Sequence, residues 1–148
     1  MDETYIKVKG IWCYLHRAVD KLDNTVDFLL TGKRQRMSAQ SFLIKAISNN
    51  CKSRVINIDK SGSNTAAIKV YNKRSFSKIK IRQCKYLNNI VEQGHRFIKF
   101  RIQNGLGFKS FESARRTLSG IEVVHMLRKN QMIGPKTTMF KSFCKLAD

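Results

Sequence analysis

Three strand-like runs crowd the first thirty residues, and the gaps between them are too short for a crossover, so this stretch is confined to antiparallel hairpins. Residues 4–8 (TYIKV) alternate apolar with polar, and Gly10 interrupts them. Residues 12–19 (WCYLHRAV) follow, Asp23 and Asn24 make a turn, and residues 25–30 (TVDFLL) complete a meander. Gly32 closes it, and Lys33, Arg34, Gln35 and Arg36 form a basic connection.

Beyond the meander the period changes. Ser38 is placed as a helix N-cap, and Phe42, Leu43, Ala46 and Ile47 recur at helical spacing until Asn49 and Asn50. Residues 55–58 (VINI) form a short apolar strand that ends at Asp59. A loop over 61–64 leads to a helix over 65–73, and residues 79–83 alternate as another strand. In residues 88–101 (NNIVEQGHRFIKFR), Ile90, Gly94, Phe97, Ile98 and Arg101 mark one side of a helix. Glu92, His95, Arg96 and Lys99 mark the other, polar side. Gly94 weakens that helix by about 1 kcal/mol relative to alanine. Ser110 caps a long helix to Lys129, with Ala114, Leu118, Ile121, Val124 and Leu127 inward, and Gly134-Pro135 lies beyond its end. The expected organisation is a core over 1–133 and a basic tail over 134–148.

This order gives an α/β protein, a mixed sheet flanked by helices. It suits a ribonuclease-H-like fold, in which the first and fourth strands are neighbours. Asp2 and Asp59 would then lie side by side, with Glu92 supplied by a helix.

A chain of 148 residues holds one core. Its 29 basic and 10 acidic side chains give +19, spread along the whole sequence. Such a surface suits nucleic acid, where each neutralised phosphate releases counterions; solubility alone is the blander reading. No apolar run is long enough to span a bilayer, and the acidic N-terminus is unlike a signal peptide, so no membrane partner is expected. Cys13, Cys51, Cys84 and Cys144 are too scattered for zinc-knuckle spacing and read as reduced thiols, with Cys84 in packing.

Converging carboxylates in a basic chain fit magnesium, a hard cation that prefers oxygen ligands. Two such ions can clamp a phosphodiester so that water or a DNA 3′-hydroxyl attacks without a protein nucleophile. Arg96 and Lys99, beyond Glu92 on the same helix, could orient flanking phosphates, and Lys60 and His95 are further basic positions expected at DNA. His95 also reads as a metal contact or a solvated helix-face histidine. Trp12 reads as core rather than as a base-stacking platform. Asp20, Asp23 and Asp27 read as turn or surface groups.

Several strings resemble one family. Residues 2–10 (DETYIKVKG) resemble the first catalytic motif of bacterial DDE transposases grouped under insertion sequence six. The RAVD and NTVDFLL strings, residues 58–64 (IDKSGSN) and residues 86–99 (YLNNIVEQGHRFIK) are similar to the segments that follow, including the second and third motifs. GFKSFESARRTLSG and IEVVHMLRKNQM continue the likeness to about residue 133. The resemblance implies a ribonuclease-H-like core that cleaves and transfers DNA strands at the ends of a mobile element. It implies Asp2, Asp59 and Glu92 as catalytic and metal-binding residues holding two Mg2+ ions, with Mn2+ as a possible substitute. The partners it implies are double-stranded DNA, as element ends and target, and a second copy in a homodimer. The location implied is the bacterial cytoplasm, at the nucleoid.

Three departures stand out. Relatives carry a helix-turn-helix region before the first motif, whereas only Met1 precedes Asp2, so an N-terminal truncation with weak or absent activity in isolation is expected. Position 94 is glycine where relatives usually have an acidic residue. The tail from Pro135 matches nothing in the family. The alternative reading is a catalytically dead remnant that binds DNA without sequence preference and inhibits intact transposase. An RNA-binding structural protein ranks last, since no paired aromatics on a strand are expected to stack bases.

Overall fold

The computed structural model describes residues 1–50, 52–59, 62–84, 89–103 and 107–131. The expected tail and Lys60 lie outside the described residues. In chain order the described elements are β1 (Asp2–Val8), β2 (Ile11–Val19), β3 (Thr25–Thr31), α1 (Arg36–Asn49), β4 (Val55–Ile58), α2 (Gly62–Arg74), β5 (Lys80–Gln83), α3 (Asn89–Gln103) and α4 (Phe111–Arg128).

The meander forms as its alternation requires: β1 pairs antiparallel with β2, and β2 with β3. The first hairpin turns on Lys9 and Gly10, whose φ angles of 48° and 80° are both positive. A two-residue turn of this kind matches the twist of the flanking strands, and glycine enters it without strain. β4 and β5 are parallel, with α2 as the crossover between them. The two sheets meet where the Met1 nitrogen donates to the Asn57 carbonyl, at 2.8 Å. That bond sets the start of β1 beside the end of β4 and joins the edge of the three-stranded antiparallel sheet to the two-stranded parallel one.

Helices cover both faces. On one, Ile6, Val8, Cys13, Leu15 and Leu30 pack against Ile98 of α3 and Ala114 and Leu118 of α4. On the other, Phe42 and Leu43 of α1 and Ile68 of α2 pack with Met1, Ile58 and Ile79. These clusters fix the orientation of the sheet and so of every group at its strand ends.

Some expectations needed correction. Ser38 does not cap α1: the helix begins at Arg36 after Gln35, and the Ser38 hydroxyl donates back to the Lys33 carbonyl at 2.8 Å. Ser110 does cap α4, accepting from the Ser113 amide at 3.1 Å. Trp12 is not core but 54% exposed, because Cys13 and Leu15 take the inner positions of β2. On α4, Val124 is exposed and the acidic Glu122 takes a fully buried place. Among the described cysteines Cys13 is buried and Cys84 half-buried, both as free thiols.

Candidate active site

Asp2 opens β1 and Asp59 directly follows β4, the two strands that meet at the Met1–Asn57 bond. Asp2 Oδ1 accepts the Glu3 amide at 2.8 Å. Burial pushes the Asp2 carboxyl up to about 6, against the pull of the Glu3 amide, and the negative charge of Asp59 pushes the same way. A buried acid whose ionisation is made costlier still by a neighbouring carboxylate marks a place where a cation is electrostatically welcome. The donor set, carboxylate oxygens on strand ends, fits magnesium.

Glu92 lies in the first turn of α3 and is exposed. Among the described residues no group of three His, Cys, Asp or Glu side chains is placed to hold one metal ion. The charge of Asp59 is felt at Asp2, and among the described residues Glu92 does not join them in a group placed to hold one metal ion.

The polar face expected for α3 divides. Arg96 and Lys99 are exposed with Glu92, but His95 is 6% exposed and sits on the buried side with Val91, Gly94 and Ile98. Burial first, then the positive charges of Arg17 and Lys99, pushes the His95 imidazole down to about 3. It is neutral at physiological pH and turned to the core, not the solvated helix-face group that its spacing suggested.

Close to His95 lies a buried ion pair that sequence reasoning passed over. Arg17 is fully buried, and its Nε donates to Glu122 Oε1 of α4 at 2.7 Å. Its Nη2 donates to the Thr25 hydroxyl at 2.9 Å, and that hydroxyl donates to Glu122 Oε2 at 3.3 Å. Arg17 lies directly across from Asp2 in the β1–β2 register, so the ion pair supports the strand that carries the first acid. A Cβ at position 94 would stand 1.9 Å from Arg17 Nη1, so α3 comes this close only because residue 94 is glycine. A signal was present: Cys13, Leu15 and Arg17 alternate inward, and Glu122 is four residues beyond Leu118.

Glu3 forms a further pair, accepting from Arg34 Nε at 2.5 Å. His16 Nδ1 lies 3.7 Å from Glu3, but burial, helped by Arg34, holds His16 down at about 4. Desolvation wins here, so at neutral pH that contact is not an ion pair.

Comparisons with known proteins bear on the family and the fold. A family model described as a DDE domain matches residues 1–131. The transposase for insertion sequence-like element IS431mec of Staphylococcus aureus is 39% identical over 132 residues, covering 87% of this chain and 57% of the relative. The transposase for insertion sequence element IS257 in transposon Tn4003, also of Staphylococcus aureus, matches with the same identity and coverage. The chain thus spans little more than half the length of these relatives, 57%. Among solved structures, the catalytic core domain of HTLV-2 integrase in complex with magnesium, in a dimeric form, superposes with a TM-score of 0.62 at 20% identity, covering 94% of this chain and 89% of that one. This likeness shows that the fold is ribonuclease-H-like.

Proposed function

The chain belongs to the DDE transposases of the insertion-sequence-six family, and from that premise we propose that it is a catalytic core for cleaving and transferring DNA strands in transposition. The observation that supports this reading most is the meeting of Asp2 and Asp59 at neighbouring strand ends, with the charge of one felt by the other. In this proposal Asp2 and Asp59 are the first metal ligands and Glu92 completes the set when α3 engages DNA. Magnesium, as two ions with manganese a substitute, supplies activation of the attacking oxygen and stabilisation of the leaving oxygen when bound. The residues have simpler tasks. Asp2 must give up its proton before it can serve as a ligand. Arg96 and Lys99, exposed on the helix of Glu92, hold the flanking phosphates, and Lys60 beside Asp59 does the same. His95 acts from the core, holding α3 on the sheet.

The partner proposed is double-stranded DNA, as element end and as target, with a homodimer holding two ends. The +19 charge supports a polyanion partner. The setting proposed is the bacterial nucleoid; among the described residues no helix is long and apolar enough to cross a membrane.

One observation favours a second reading. Among the described residues no three acids form a group placed to hold a metal, as in a protein that binds DNA non-specifically, cuts nothing and inhibits an intact transposase by mixed assembly. Nicking of supercoiled plasmid in magnesium separates the two. A catalytic core nicks, and Asp2→Asn, Asp59→Asn and Glu92→Gln each abolish nicking while duplex binding persists. Binding without nicking in the parent chain would overturn the catalytic reading and leave the second.

A further inference from the structure

The outer face of the β1–β2 hairpin has no part in the chemistry above. Tyr5 stands directly across from Tyr14, with ring centroids 5.4 Å apart at 62°. Trp12 meets the other edge of Tyr5 at 6.3 Å and 80°. α1 covers this face at His16, where Phe42 stacks at 5.7 Å, and the cover stops before Tyr5 and Trp12, which are 43% and 54% exposed. Paired aromatics on adjacent strands, which the sequence reading did not expect, are therefore present.

Cations surround the rings. Lys7 lies across from Trp12 in the register, its Nζ 5.6 Å from the ring centroid. Arg34, held by Glu3, stands 5.8 Å over Tyr5 and bounds the surface on that side. Lys99 of α3 joins the three rings in lining an open cleft of about 590 Å³. Past Lys7, the backbone turns at Gly10 and Gly107 lead into a second cleft, flanked by Lys9 and Lys109.

Duplex DNA offers a surface mainly phosphates, because its base faces are hidden in the stack. A surface built for phosphates alone has no use for three aromatic rings. A protein partner with an apolar patch would meet uncompensated lysines at the rim. Rings beside lysines match a strand whose bases are unpaired, since every base has a face to stack and every nucleotide a charge to neutralise. We propose that the outer face of the β1–β2 hairpin binds unpaired nucleotides of single-stranded DNA. Their bases stack on Tyr5, Trp12 and Tyr14, and their phosphates meet Lys7. The proposal goes beyond the catalytic reading and does not depend on it, because the binding needs neither magnesium nor the acid pair.

Trp12 is the only tryptophan in the chain, so its fluorescence reports this face alone. The full chain is titrated, without divalent metal, with a short oligothymidylate and with a duplex of equal length. The single strand is expected to quench Trp12 and the duplex to leave it nearly unchanged. Tyr5→Leu combined with Tyr14→Leu is expected to weaken single-strand binding by about tenfold or more. The duplex affinity of that variant should hold, because its phosphate contacts are intact. Saturating single strand without quenching would overturn the proposal, as would an equal loss of single-strand and duplex binding in the double variant. So would emission from Trp12 that shifts with protein concentration in the absence of DNA, which would identify a second copy as the occupant. If the double variant does not fold by circular dichroism, the quenching of the parent chain still decides.

Discussion

Arg17 donates its Nε–H to Glu122 at 2.7 Å across 105 positions of sequence, and both side chains are fully excluded from solvent. Such a pair contributes little by forming, since desolvation offsets attraction, but removing one member strands the other charge. Glu122→Ala is expected to destabilise the fold by about 3–5 kcal/mol. Arg17→Met with Glu122→Leu should recover most of that loss. Urea unfolding of the two variants checks both, and a single-variant loss below about 1 kcal/mol would mean that water reaches the pair.

Gly94 provides a test with an unusual sign. Alanine is the better helix former by about 1 kcal/mol, so on propensity Gly94→Ala should stabilise α3. The new Cβ would instead stand 1.9 Å from Arg17 Nη1, and Arg17 cannot swing clear because Glu122 and Thr25 hold its other nitrogens. Gly94→Ala is expected to cost about 1–3 kcal/mol through overpacking. In an Arg17→Met background the same substitution should become neutral or stabilising, and a double-mutant cycle on thermal unfolding reads the coupling.

All three histidines of the chain are held down, His16 to about 4, His95 to about 3 and His125 to about 4, with burial the first cause in each. Below the unfolded value of 6.5 the unfolded chain binds protons that the folded chain refuses. Stability therefore falls as pH drops from 6.5 toward 4 and 3, by at most about 1.4 kcal/mol per pH unit for each group. His125, only half-buried, contributes less. Asp2 works in the opposite sense: its raised value takes stability away as pH climbs from 3.8 to about 6, one group against three. Urea midpoints at pH 7.5 and 5 are expected to differ clearly, with the lower at pH 5, and His95→Gln should shrink the difference. Equal midpoints would show that the imidazoles titrate as in solvent.

The meander was legible because alternation with short turns has one common solution, and the register then follows from a two-residue hairpin. The adjacency of Asp2 and Asp59 was legible from element order. The side of α3 that His95 occupies was not. Helical spacing placed it with Glu92 and Lys99, but the structure buries it on the side of Val91, Gly94 and Ile98, and which side of α3 packs on the sheet is set by tertiary contacts that no local pattern of α3 encodes. Arg17 explains Glu122, since an acid inside α4 makes sense only once an arginine is known to wait there. Trp12 shows the converse limit: alternation says which face a strand residue takes, but not where the covering helix stops.

The strands of the meander meet close in sequence, whereas the bonds that fasten α4 and the residues just after it to them span 105 and 106 positions, from Arg17 to Glu122 and from Thr25 to Gln131. Short-range pairing comes early in folding and long loops close late. The hairpins thus assemble with Arg17 still hydrated, and the arginine loses its water only when α4 arrives carrying the acid. Docking of that last helix and dehydration of the guanidinium are one event, which makes α4 a latch. A chain interrupted before residue 122 would hold a sheet that cannot shut, with a charge where its centre should be.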